Sequence, residues 1–311
     1  MKSKQIAIVL ILIAAIGGIV VIVTKRNVSL STAKHGAMYC SSDGTLVEAK
    51  PIQSHRSYCV SSDAQGKIYS INAPVDYTFS IVDDQGNTLK DFAVTHTKQM
   101  HVIVVRKDLV NFQHVHPEFN SSTGKFTLRA LVFPTAGPYR IFADFVPAQG
   151  QIDSPAMPFG VTSSEDVMVE GQYNPEPLGV LEHTGMFDGY EVSLVSDPRL
   201  EVGKKAELAF VLKQDGKSVT DLEEYLGALG HSIVLREGTL DFIHAHPEGD
   251  SDSQNGRVNF SVYFPQAGQY KIFTQFQRQG KVSTTDFVVS VGQGMDSNAM
   301  EDMMKNMHDM H

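Results

Sequence analysis

Seven residues, Phe112-Gln113-His114-Val115-His116-Pro117-Glu118, return 130 residues later as Phe242-Ile243-His244-Ala245-His246-Pro247-Glu248. A further histidine stands ahead of each stretch at the same offset, His101 and His231. Two histidines one residue apart on a strand share a face, and a third on the adjoining antiparallel strand can meet them there. Neutral imidazole is a good ligand for Cu(II), Zn and Ni, and three of them leave room for water or a fourth ligand. Two metal sites are therefore expected, one from His101, His114 and His116 and one from His231, His244 and His246. Glu118 and Glu248 share the parity of their histidine pairs and are candidates for a fourth ligand or for an acceptor that orients a ring. The proline before each ends the strand and leaves the glutamate's direction open. The competing reading of the same residues is a polar network that orients a loop without metal. Catalysis is not favoured, because no nucleophile accompanies the histidines in both copies, where Lys107-Asp108 is answered by Glu237-Gly238.

The C-terminus adds a softer donor set. Met300, Met303, Met304, Met307 and Met310 alternate with polar residues and end beside His308 and His311. Thioether sulfur prefers Cu(I) or Ag(I). A short amphipathic helix docking through its methionines is the alternative. Taken with the repeat histidines, the tail points to copper, with zinc as the second candidate. A blue-copper electron carrier is disfavoured, since such a site needs a Cys thiolate and Cys59 has no counterpart in the second copy. Cys40 and Cys59 are the only cysteines, and an even pair outside the cytosol reads as a disulfide.

The elements that must position these side chains follow from alternation. Val75–Val82 and Ala206–Leu212 set Tyr77, Phe79 and Ile81, and Leu208, Phe210 and Leu212, on one face each. The stretches starting at His101 and His231 are rich in β-branched residues. A two-residue turn at Lys107-Asp108 would place His101 across from His114, with His116 on the same face. Glu237-Gly238 does the same for His231, His244 and His246. Further on, FPTAGPYRIFADF at 133–145 matches FPQAGQYKIFTQF at 264–276. So many positions in order establish an internal duplication. Seven or so short strands per copy predict an all-β chain of two tandem immunoglobulin-like (cupredoxin-like) β-sandwich domains.

The organisation read from the sequence is an N-terminal membrane anchor over 1–27, a linker with Cys40 over 28–55, and a first repeat over 56–171. A connector without its own element follows over 172–188, then a second repeat over 189–292 and a mobile tail over 293–311. The anchor rests on the uncharged run from Ile6 to Val23, just long enough to cross a bilayer core. No cleavage site follows it, so a retained single-pass transmembrane helix with an extracytoplasmic C-terminal body is expected. The 26 Lys plus Arg against 35 Asp plus Glu give a formal charge of −9, which argues against a nucleic-acid partner.

The repeated MHVIVVRKDLVNFQHVHPEF … FPTAGPYRIFADF and its second copy resemble a group of exported or membrane-anchored bacterial proteins that often accompany heavy-metal, especially copper, transport and resistance systems. The resemblance covers about 70–291 and implies β-sandwich domains; it implies no settled activity for the histidines. The expected function is binding, buffering or delivery of copper at the membrane, near a metal transporter or another envelope protein. The alternative is a non-enzymatic adhesion or assembly protein with two immunoglobulin-like modules and structural histidines.

Overall fold

Alternation builds the two cores as the pattern predicts. Along Val75–Asp83 the side chains of Tyr77, Phe79 and Ile81 are buried, and along Lys205–Gln214 those of Leu208, Phe210 and Leu212 are. One core gathers around Phe79, Phe126, Phe133 and Phe145. The other gathers around Phe210, Phe260, Phe264 and Phe276. The structure, a computed structural model, describes residues 38–40, 46–48, 58–64, 66–148, 160–247 and 255–293. These residues form an all-β chain of two β-sandwich domains, with no α-helix among them. Every described residue belongs to one compact unit, Ala37–His311. The expected membrane segment, Glu248 and the Met/His tail from Met300 to His311 lie outside the described residues, as does the side chain of His246. Among the described residues no helix is long and apolar enough to cross a membrane.

In the first domain Tyr58–Ser62, Val75–Asp83, Lys125–Leu131 and Glu118–Asn120 form one sheet. The other runs Ile68–Tyr69, Val161–Val169, Gly137–Pro147, His101–Arg106, Gln113–Val115. The second domain joins its strands into one continuous sheet, because Phe242–Pro247 pairs with His231–Arg236 at one end and with Arg257–Tyr263 at the other. The first domain breaks that path at His116-Pro117, where Gln113–Val115 and Glu118–Asn120 go to different sheets. One expectation about connections needs correcting. The stretch 172–188 contains a strand, Thr184–Phe187, which pairs with Tyr190–Ser196. The linker before the first domain carries the paired strands Met38–Cys40 and Leu46–Glu48.

The register of the histidine hairpins also differs from the simple count. A turn does form at Lys107-Asp108, with the Leu109 amide donating to the Arg106 carbonyl at 2.8 Å. Leu109 and Asn111 then take left-handed conformations, φ 63° and 55°. Each adds a residue to the return path, so Ile103, not His101, lies across from His114. The second hairpin closes its turn one residue later, with the Leu240 amide on the Arg236 carbonyl and Leu240 at φ 61°. It reaches the same offset, with Ile233 across from His244. A slip of one residue would send every side chain to the opposite face. The net slip is two, so the histidines keep the face they were assigned.

That face is not open to solvent. All six residues of His101–Arg106 are buried. Val102 and Val104 enter their own domain's core, whereas Ile103 and Val105 pack with Phe142, Ile233, Leu235 and Phe273 in a third core shared by both domains. The repeats meet as near-equivalents there. Phe112 stacks on Phe273 with ring centroids 4.3 Å apart and planes 8° apart, and Phe242 meets Phe142 at 5.1 Å. The Phe that opens each histidine motif is thus the anchor of one domain on the other. Such ring pairs contribute about 0.5–1.5 kcal/mol beyond the area they bury.

Candidate metal centre at the domain interface

His101 begins the first domain's inner strand, and His114 and His116 stand on the strand beside it. Their ring nitrogens converge. His101 Nδ1 lies 3.1 Å from His114 Nε2 and 3.2 Å from His116 Nε2. All three ligand atoms fall within 4.8 Å of one another. Two nitrogens bound to one ion at about 2.0–2.1 Å are separated by about 2.8–3.4 Å for angles between right and tetrahedral. The two short separations match that span.

The protons on the outer nitrogens decide what faces the centre. His101 Nε2 is 3.2 Å from the Thr95 carbonyl, which can only accept. His114 Nδ1 donates to Gln275 Oε1 at 2.7 Å. The Gln275 amide is itself oriented, since its nitrogen donates to Thr284 Oγ1 at 3.2 Å. A neutral imidazole carries one N–H, so His101 Nδ1 and His114 Nε2 both turn lone pairs inward. At most one proton, from His116, can enter the gap. Charging the rings is resisted. Burial, opposed by the Thr95 contact, holds His101 down at about 4, and burial followed by the neighbouring His101 holds His116 at about 3. Burial and then His116 push His114 well below the usual imidazole range, against the pull of Gln275. Three neutral rings presenting lone pairs to one point form a cation site, with the outer hydrogen bonds fixing the ligating tautomers.

Two rings of the second repeat, those of His231 and His244, lie against the same cluster. His231 is stacked on His114 at 4.8 Å and on His101 at 5.4 Å, and His244 lies 4.4 Å from His231. His244 Nδ1 donates to Asp144 Oδ2 at 2.8 Å, in a pair whose side chains are 5% and 7% exposed. Asp144 and Gln275 occupy matching positions in FADF and FTQF. Each domain therefore supports the other's first motif histidine.

Glu118 is placed otherwise than the parity suggests. It lies on the opposite sheet, exposed, and accepts from Arg129 at 3.1 Å; the break at Pro117 turns it away from the rings. Met100 points into the first domain's core. His96, which has Leu226 as its counterpart, comes within 5.3 Å of His244 and 5.9 Å of His101. It sits in a loop with φ 49°, so no strand period could find it. Asp144 and Gln275 did leave a signal, as polar residues held between two phenylalanines on an inner strand.

The sequence matches one family twice, the Domain of unknown function (DUF8832), over residues 55–163 and 184–293. The chain belongs to that family. A comparison with curated proteins gives no match. Among solved structures, the chain is similar to a DUF4426 family protein from Pseudomonas aeruginosa PAO1, at 12% identity and a TM-score of 0.28, over 35% of this chain and 96% of that one. It is also similar to the PmoD soluble domain from Methylocystis sp. ATCC 49242, at 14% identity and 0.25, over 34% and 95%. A third similarity, to Salmonella alpha-2-macroglobulin, has 11% identity and a TM-score of 0.25, over 76% of this chain and 15% of that one.

Proposed function

We propose that this protein binds copper at His101, His114 and His116 and buffers it or hands it on, without covalent chemistry. The observation that carries the reading is the inward lone pair on His101 Nδ1 facing another on His114 Nε2 at 3.1 Å, an arrangement that a cation stabilises and that neutral rings alone do not. Zinc fits the same nitrogen donors. The Met/His tail would supply soft ligands for Cu(I) capture. The apolar run from Ile6 to Val23 would hold the body outside the cytoplasm, near a metal transporter or another envelope protein. Cys40 and Cys59 would form a bridge there, in keeping with the lack of a free thiol among the described residues.

A second reading keeps the rings as a purely structural network. It is favoured by the hydrogen bonds His114–Gln275 and His244–Asp144, which tie one domain to the other. Metal analysis of the full chain in detergent separates the two, after loading with Cu(I), Cu(II) or Zn(II) and removal of free ion. Bound metal that is lost in His114→Ala/His116→Ala supports the metal reading. A chain that binds none of the three ions leaves the structural one.

A further inference from the structure

An ion held by His101, His114 and His116 lies at the domain interface, and His101 is only 2% exposed. A bare cation cannot cross the apolar shared core, so it must leave by exchange onto another donor. The ring of His96 is half-buried and still reaches solvent. It meets His101 at 5.9 Å, His231 at 5.7 Å and His244 at 5.3 Å. Burial, and then His244, lowers its proton affinity against the pull of Asp144, which keeps a lone pair on the ring near neutral pH. The turn that carries it is tight and strained. Thr95 and Lys98 exchange both backbone hydrogen bonds, at 2.9 and 3.0 Å, with His96 and Thr97 left-handed between them at φ 49° and 67°. A β-branched residue seldom takes that conformation, and such outliers gather at functional sites. The second repeat makes the same turn from Tyr225 to Ala228, with Leu226 and Gly227 in those places at φ 58° and 82°. The two turns meet, Thr97 Cγ2 lying 3.8 Å from where a β-carbon on Gly227 would sit. The Thr95 carbonyl also accepts from His101 Nε2 at 3.2 Å, which ties the turn to the trio. The matching nitrogen of the second repeat, Nε2 of His231, has no hydrogen-bond partner among the described residues, although that residue is only 3% exposed. A buried nitrogen left so is costly, and this ring lies against His96.

We propose that His96 is a transfer ligand, so that copper passes between solvent and the buried trio by way of its ring, with His231 of the other domain as the second contact. This rests on the reading that the trio binds copper. In the exchange one copper–nitrogen bond to the trio breaks as one to His96 forms, and the ion keeps its charge. Passage through adjacent sites needs each to hold the ion weakly enough to let it go. One or two neutral imidazoles meet that condition, whereas three retain the ion. The second repeat has Leu226 at the matching place and offers no such ring.

The test is stopped-flow release of copper from the full chain in detergent. The chain is loaded with the ion, Cu(I) or Cu(II), that metal analysis finds at the trio. It is then mixed with excess bathocuproine disulfonate under ascorbate for Cu(I), or with EDTA for Cu(II), and the absorbance of the chelate is followed. The release phase that is lost in His114→Ala/His116→Ala belongs to the trio. His96→Leu installs the residue that the second repeat carries in the same turn, so the fold is least disturbed. It should slow that phase at least about tenfold, which is about 1.4 kcal/mol on the barrier, while the affinity read by chelator competition stays at the wild-type value. Thr97→Gly gives the turn the glycine of the second repeat, keeps the ring, and should keep the wild-type rate. An unchanged rate in His96→Leu would mean that the ion leaves past His116, and it overturns the transfer role alone. Weaker affinity with faster release in His96→Leu would make His96 a ligand of the resident ion and also overturns it. Equal slowing in Thr97→Gly would assign the effect to the turn and not the ring, with the same result. A chain with no copper of either charge at the trio overturns this proposal and the copper reading together.

Discussion

At the scale of single residues, the groups behind the histidines matter as much as the rings. Gln275 fixes which nitrogen of His114 faces the centre, through a 2.7 Å hydrogen bond that crosses between domains. Loss of such an outer partner typically weakens metal binding by about 10–100-fold. Gln275→Ala should therefore lower copper affinity at the first trio by that factor in a competition titration, with the far-ultraviolet spectrum unchanged. Burial of the rings makes a second prediction. The ordinary imidazole value is about 6.5, and His101 and His116 are held at about 4 and about 3, chiefly by burial. Between those values and 6.5 the unfolded chain binds protons that the native chain refuses, so stability falls as pH drops. Above 6.5 both states hold these rings neutral and the contribution is constant. The melting temperature of the metal-free chain should be level from pH 8 to 7 and decline steadily from 6.5 toward 4. No change between pH 7 and 5 would contradict this account of the buried rings.

At the scale of elements, the hairpin loops keep the donors on one face. Leu109 and Leu240 hold left-handed conformations and yet are buried in the shared core, 1% and 3% exposed. A left-handed backbone costs a branched residue about 1–2 kcal/mol. Truncating a buried leucine costs about 2–5 kcal/mol, so packing wins over strain. Leu109→Gly should destabilise the protein in urea despite relieving the backbone. Removing one residue from the loop should do more. With Asn111 deleted the return strand slips by one, which points His114 and His116 toward the first domain's core. Copper binding at the first trio should vanish in that variant, as read by metal analysis, while Leu109→Gly retains it.

At the scale of the whole molecule, each repeat packs one sheet face on the other. Phe112 packs on Phe273 and Phe242 on Phe142, and the shared core contains Ile103, Val105, Ile233 and Leu235. The domains are consequently coupled in stability as well as in binding. Phe273→Ala removes a buried ring, at a cost of about 3–5 kcal/mol, and exposes the facing sheet. Chemical unfolding should change from one transition to two, and copper should be held more weakly because Gln275 follows two residues later on the same strand. A single transition at the wild-type midpoint would show that the domains do not rely on this face.

Much of this was legible in the order of residues alone. The duplication, the alternation that buries Tyr77, Phe79 and Ile81, and the shared face of His101, His114 and His116 all follow from periods of two and a constant offset. Those patterns are local, and a strand's period states which residues share a face regardless of what covers it. What covers it depends on contacts such as His114 with Gln275, 161 positions apart, which no period encodes. Only the packing of one sheet against the other could bring His231 and His244 of the second repeat against the first trio at a single interface. The cause is the cost of exposing Ile103, Val105 and the paired phenylalanines to water, which draws the histidine faces together.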